Sequence, residues 1–258
     1  MKTKLKKELG QNFLNNEAYC AKIVSHLNIK NDSFIIEIGP GSGALTKYIT
    51  NYEYKSFFAI EFDSKWAHYL LNNYKKNKIK IFNEDILDYK LDRSIKEYLI
   101  IGNIPYYITH SIIDRIIEWR DNIDTVVLMI QEEVAQKICK KSGKDYGYLA
   151  VVLQLFFDIE LLDFISAENF IPVPKVNSRI IRMKYKKNNI MTDDELKKFK
   201  KFLYIIFKYP RKKIRNNIAG TYLENNDSIK DILDKRSQEI CPLDIYSSWL
   251  KTLTKINN

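Results

Sequence analysis

The sequence has little cysteine and little histidine. Cys20, Cys139 and Cys241 are odd in number and widely separated, which fits neither a disulfide framework nor a zinc site and favours a reducing, cytosolic setting. His26, His68 and His110 stand apart from one another, so the expectation is that no metal is bound. No apolar run approaches the roughly 20 residues that a membrane span requires. The basic start, Met1-Lys2-Thr3-Lys4-Leu5-Lys6-Lys7, is followed by no apolar stretch of the secretory kind. Neither a membrane partner nor export is therefore expected, and a cytoplasmic location is. Internal repeats and low-complexity blocks are absent as well. The G-x-G-x-x-G spacing of dinucleotide enzymes is missing, which disfavours a nicotinamide oxidoreductase.

What is present is a chain of 258 residues, long enough to bury a sizeable core, as one large domain or one domain plus an appendage. Its formal net charge of +10 is uneven. Residues 1–183 carry 25 Lys and Arg against 23 Asp and Glu, whereas residues 184–258 carry 17 against 9. A basic tail on a near-neutral body suits a polyanionic partner. A general taste for Lys, Asn and Ile would also produce much surface lysine.

Four short apolar runs each end in residues suited to chemistry. Phe34–Ile38 leads into Gly39-Pro40-Gly41-Ser42-Gly43 and then a helix-compatible stretch, the strand, glycine turn and helix of a nucleotide-binding α/β unit. Gly41 and Gly43 let backbone approach a ligand with no Cβ in the way. Ser56–Ile60 ends at Glu61, where such folds hold ribose hydroxyls. Ile79–Phe82 leads to Asp85, placed to accept from an adenine amino group. Tyr98–Ile101 leads to Gly102-Asn103-Ile104-Pro105-Tyr106. There the Asn103 amide oxygen and a carbonyl of Ile104 or Pro105 are acceptors beside one aromatic plate, an arrangement suited to an exocyclic amino group on a planar heterocycle. Each feature alone has a commonplace alternative, a solvated loop acid or a proline turn; successive strand ends on one sheet edge make a ligand crevice.

Farther along, helices are expected over 110–119 and 132–140, and strands over 125–130, 155–162 and 178–183. The prolines of Phe170-Ile171-Pro172-Val173-Pro174-Lys175-Val176-Asn177-Ser178 predict an extended, exposed Phe170, with a core position as the alternative. Lys186–Asn189 reads as a linker. Helical patterns follow over 193–209, 211–223, 228–235 and 243–253. The division expected is 1–184 and 185–258. Arg211, Lys212, Lys213 and Arg215 would lie on adjacent helical turns, as a phosphate-contacting or simply solvated face.

Taken together, these motifs resemble those of class I S-adenosylmethionine-dependent methyltransferases, and more narrowly the rRNA adenine dimethyltransferases. Gly10-Gln11-Asn12-Phe13-Leu14 resembles that family's amino-terminal signature. Glu37-Ile38-Gly39-Pro40-Gly41-Ser42-Gly43-Ala44-Leu45-Thr46 is similar to its cofactor loop, and Phe170–Ser178 looks like its later motif. The resemblance implies a Rossmann-like α/β domain with a seven-stranded, mostly parallel sheet and a small all-α carboxy-terminal RNA-binding domain. It implies S-adenosylmethionine as cofactor, held by Gln11, Asn12, Leu14, Gly39, Gly41, Glu61, Asp85, Ile86 and Asn103. It assigns the catalytic platform to Asn103, Ile104, Pro105, Tyr106 and Phe170, with Tyr106 and Phe170 sandwiching a flipped adenine. It makes Lys175, Arg211, Lys212, Lys213 and Arg215 candidate RNA contacts.

Two branches of the family compete. Asp145-Tyr146-Gly147-Tyr148-Leu149, Gln154 and Arg211–Asn217 resemble the KsgA-type branch, which dimethylates two adjacent adenosines near the 3′ end of small-subunit rRNA. The Erm branch modifies large-subunit rRNA instead. The partner expected is small-subunit rRNA or an immature small subunit, bound by a monomer. Ser111 departs from the family, which usually has proline there, at a helix position that tolerates serine. A non-catalytic assembly factor is the alternative class, and intact Asn103, Glu61 and Asp85 argue against it.

Overall fold

The structure is a computed structural model and describes residues 12–75, 78–188 and 190–254. Its strands in chain order are β1 (Phe13–Leu14), β2 (Phe34–Ile38), β3 (Ser56–Ile60), β4 (Ile79–Phe82), β5 (Tyr98–Asn103), β6 (Ile123–Gln131), β7 (Phe157–Ile165), β8 (Phe170–Ile171) and β9 (Ser178–Tyr185). Its α-helices are α1 (Glu17–Ser25), α2 (Thr46–Ile49), α3 (Ser64–Asn73), α4 (Thr109–Glu118), α5 (Glu132–Cys139), α6 (Tyr148–Phe156), α7 (Asp193–Ile206), α8 (Ile214–Ile218) and α9 (Pro242–Thr254).

Seven strands form one sheet in the order β4-β3-β2-β5-β6-β9-β7. The strands from β2 to β6 pair in parallel, and β9 runs antiparallel to β6. Ile35, Ile36, Ile100, Ile101, Val126 and Val127 are fully buried, the continuous apolar strands expected of a sheet covered on both faces. From β2 the chain moves outward to β3 and β4, then returns to lay β5 on the other side of β2. That reversal sets Ile38 beside Gly102 and opens a crevice at the carboxyl ends of β2 and β5.

The chain divides into two compact units, residues 1–135 with 158–185, and residues 136–157 with 186–258. The division expected at 184 therefore differs in one respect: the segment 136–157 clusters with the carboxy-terminal helices. Its core is α6, which packs against α7 and α9. Val151, Val152 and Leu153 are buried without exposure, an all-round apolar pattern that a buried strand also produces. Hence the strand expected from 155 begins at Phe157, and Leu155 and Phe156 close a helix. Gln154 Nε2 donates to the carbonyls of Ile138 and Lys140, at 2.8 and 2.6 Å, tying the end of α5 into this unit.

Elsewhere in this second unit, α7 opens on a capping box between Thr192 and Glu195. Phe199 packs on Trp249 with ring centroids 5.1 Å apart. The helix expected over 211–223 is reduced to α8. The amides of Ile214 and Arg215 donate to the carbonyls of Lys235 and Leu233, and Gly220 turns the chain with φ of 73°. Arg211, Lys212 and Lys213 thus lie in the turn ahead of a short helix rather than on successive helical turns. The segment 228–235 is a 3-10 helix over Asp227–Ile232. Among the described residues, no helix is long and apolar enough to cross a membrane.

Candidate active site

The crevice at the switch point is walled by four strand ends and by β1. Asn12, Phe13 and Leu14 line it from one side; Gly39, Gly41, Glu61, Asp85, Ile86, Asn103, Ile104, Pro105 and Tyr106 line the rest. All the predicted site residues of the tetrad, the glycine turn and the two acids are therefore brought together. Gln11 lies outside the described residues.

The glycine turn is shaped for a ligand. Gly39 has φ of 62°, and a Cβ there would point into open space. Glu61, 5% exposed, is fixed at both oxygens: Oε2 accepts from the Gly41 amide and Oε1 from the Asp63 amide, each at 2.8 Å. Each oxygen keeps a further lone pair for a diol. Burial holds the Glu61 carboxyl above the usual carboxylate range, and those amides oppose the rise. Glu37, also on the cavity wall, is 1% exposed and accepts from Thr46 Oγ1 at 2.7 Å. Burial, reinforced by the nearby Glu61 charge, pushes its carboxyl up to about 8. Asp85 Oδ1 accepts from the Leu87 amide at 2.9 Å, which anchors it at the end of β4. Ile86, 5% exposed, gives the adjoining wall an apolar face.

At the end of β5, Asn103 Nδ2 donates to the Asn12 carbonyl at 2.9 Å. A carbonyl only accepts, so this contact fixes the orientation of the amide and leaves Oδ1 as the acceptor that Asn103 offers the crevice. The Pro105 carbonyl takes the Ile108 amide at 3.2 Å and the Thr109 hydroxyl at 3.4 Å. The Ile104 carbonyl is not drawn into that turn. Tyr106 is half-buried, and its hydroxyl shares a 2.7 Å hydrogen bond with Ser178 Oγ.

Phe170 departs from expectation. It is 1% exposed and packs in a core cluster with Leu14, Cys20, Ile23, Ile165 and Ile180. The prolines do not decide this; the antiparallel pairing of β8 with β1 does. Leu14 lies opposite Phe170, and strand alternation then turns Ile171 outward, 52% exposed. Phe170 thus packs beneath β1 rather than standing exposed. The exposed aromatic beside Tyr106 is Tyr107, 64% exposed and on the cavity wall. The residues not foreseen are Phe13, Glu37, Phe62 and Tyr107. Glu37 stood inside a quoted motif, and its place one residue before the end of β2 was the available signal.

The candidate RNA contacts lie on exposed surface. Lys175 is exposed in the first unit. In the second, Lys213 Nζ lies 3.1 Å from Asp234 Oδ1, and Arg215 pairs with the other oxygen of the same carboxylate. Lys212 Nζ sits 4.7 Å from the centre of the Tyr209 ring.

The profile described as "Ribosomal RNA adenine dimethylase" matches residues 2–255. The chain belongs to the ribosomal RNA adenine dimethylase family. It is 39% identical over 242 residues to the ribosomal RNA small subunit methyltransferase A of Flavobacterium johnsoniae, covering 93% of this chain and 92% of that one. The protein of the same name from Fusobacterium nucleatum is 38% identical over 242 residues, covering 91% and 90%. A dimethyladenosine transferase from Plasmodium falciparum has the same fold, with a TM-score of 0.83 at 21% identity over 94% of this chain and 98% of that one. The 23S rRNA methyltransferase ErmE shares it too, with a TM-score of 0.71 at 23% identity over 96% and 100%.

As a dimethylase family member the chain is an S-adenosylmethionine-dependent methyltransferase of the class I fold. The crevice fits that cofactor on its own chemistry: an open cradle over Gly39, a carboxylate at Glu61 with lone pairs to spare, and an apolar wall at Ile86.

Proposed function

We propose that this enzyme dimethylates the exocyclic amino groups of two adjacent adenosines near the 3′ end of small-subunit rRNA, as a cytoplasmic monomer acting in small-subunit biogenesis. The small-subunit assignment is supported by relatives that carry that substrate in their names at 38–39% identity over nine-tenths of the chain. The chemistry rests on one observation, the Asn103 amide nitrogen engaged by the Asn12 carbonyl, which leaves the side-chain oxygen as its acceptor.

When bound, S-adenosylmethionine supplies a methyl group activated by its sulfonium. Glu61 would accept hydrogen bonds from the ribose hydroxyls, Asp85 would accept one from the cofactor's adenine amino group, and Ile86 would pack on that ring. The target amino nitrogen is a poor nucleophile because its lone pair is delocalised into the base. Asn103 Oδ1 and the Ile104 carbonyl accept its two hydrogens, which draws the lone pair out of conjugation and aims it at the methyl. Fixed acceptors of this kind need no reorganisation at the moment of transfer. Tyr106 stacks on the flipped adenine, a contact worth about 1–3 kcal/mol. Lys175, Arg211 and Lys212 contact phosphates.

The test is methyl transfer from labelled S-adenosylmethionine to undermodified small and large ribosomal subunits side by side, with product nucleosides identified. Dimethyladenosine in small-subunit RNA alone is expected. Label in large-subunit RNA would move the enzyme to the Erm branch. No label in either, with the cofactor still bound, would make it an assembly factor.

A further inference from the structure

Ser178 opens β9 with no exposure to solvent, opposite Gln131 in the β6–β9 register. A buried hydroxyl requires a partner. Among the described residues its side-chain partner is the Tyr106 hydroxyl, 2.7 Å away and 72 positions distant in sequence. Tyr106 sits in a short 3-10 turn, Tyr106–Ile108, carried on a proline loop rather than on a strand. The loop alone leaves the ring free to swing about its side-chain torsions. The bond to a residue embedded in the central sheet removes that freedom, because Ser178 is itself immobilised by the β6–β9 ladder.

We infer that Ser178 is a positioning residue that locks the Tyr106 ring, and that this lock matters most for the second of the two methyl transfers. The inference rests on the proposed dimethylation. In the first transfer the target amino group carries two hydrogens, and both acceptors, Asn103 Oδ1 and the Ile104 carbonyl, hold it. The nitrogen attacks the sulfonium methyl, the sulfur leaves with the bonding electron pair, and the nitrogen sheds one proton to solvent. The monomethylated nitrogen then returns with one hydrogen and therefore one hydrogen bond. The orientation lost at the vacated acceptor has to come from the stacking ring. A Tyr106 ring that can swing should thus pass the first transfer and stall at the second.

The experiment measures monomethyl- and dimethyladenosine over time in small-subunit RNA for the parent, Tyr106→Phe, Ser178→Ala and the double variant. Tyr106→Phe keeps the stacking face and removes only the hydroxyl. Each single variant is expected to lower the ratio of the second transfer rate to the first about tenfold, the scale of one lost hydrogen bond. The double variant should match either single one, since both remove the same bond. Additive losses, or an unchanged ratio of the two products in Tyr106→Phe, would overturn the inference. Should Ser178→Ala not fold, Tyr106→Phe and Ser178→Cys give the same reading. A parent enzyme that leaves small-subunit RNA unmodified would refute the proposed function itself, a separate result visible before any variant is compared.

Discussion

Two side chains at the crevice carry opposite demands on hydrogen-bonding capacity. Asn103 uses its donor to Asn12 and keeps its acceptor for the substrate. Asn103→Ala removes both and should lower methyl transfer by at least ~100-fold, the scale of losing a preorganised acceptor, with the fold retained by circular dichroism. Near-normal turnover in that variant would sink the role. Glu37 makes a different prediction. Its carboxyl sits at about 8 in the folded chain against an ordinary 4.5, so between those values the folded state holds a proton that the unfolded state has released. Unfolding free energy should therefore fall as pH rises through this window, because the stabilising proton is fully present below 4.5 and lost above 8. Glu37→Gln keeps an oxygen for Thr46 and cannot titrate, so its stability curve should be flatter from pH 4.5 to 8 by denaturant unfolding. Parallel curves for the two proteins would contradict the assignment.

At the scale of elements, the crevice depends on how closely β2 and β5 approach. A Cβ added at Gly102 would stand 2.8 Å from the Ile38 carbonyl oxygen and 2.8 Å from Ile104 Cδ1. Backbone cannot yield as a side-chain tip can. Gly102→Ala should cost about 1–3 kcal/mol of stability and weaken cofactor binding together, because the strands that carry Gly39 and Asn103 are forced apart. Calorimetry would register both; loss of neither would mean that the pair has slack. The places of the parallel strands along the chain and the residues at their ends were readable because each of β2 to β5 is a short apolar run that stops at glycine, an acid or asparagine. The side-chain direction of Phe170 was not readable, since it is set by pairing with Leu14, far away in sequence. The α6 helix was missed for the reverse reason: buried on every side, it lacks the one-sided pattern that marks a helix.

At the scale of the whole molecule, the basic residues of the second unit are not equivalent. Lys213 and Arg215 share the Asp234 carboxylate, so the three together carry one net positive charge. No acidic partner lies within 4 Å of Arg211 or Lys212 among the described residues. Arg211→Ala and Lys212→Ala should each reduce the slope of log affinity against log salt by about 1 for small-subunit RNA, whereas Lys213→Ala and Arg215→Ala should each change it less. Equal slopes for all four would mean that Asp234 releases its partners on binding. The uneven charge was plain in the sequence; the pairing was not, because Asp234 meets these cations where residues 213–215 lie against residues 233–236, about 20 positions away.

The short strand β1 has a consequence for the birth of the enzyme. Leu14 waits for Phe170, and Asn16 Nδ2 waits for Asn169 Oδ1, a partner 153 positions later. The carbonyl of Asn12 that orients the Asn103 amide belongs to this same early segment. In a chain made from its amino terminus, the tetrad, the glycine turn and both acids therefore precede the strand partner of β1, while Phe13 already has Trp66 to pack on. Every residue that lines the crevice lies within the first 108 positions, yet the strand that orients Asn103 takes its pairing partner from position 170.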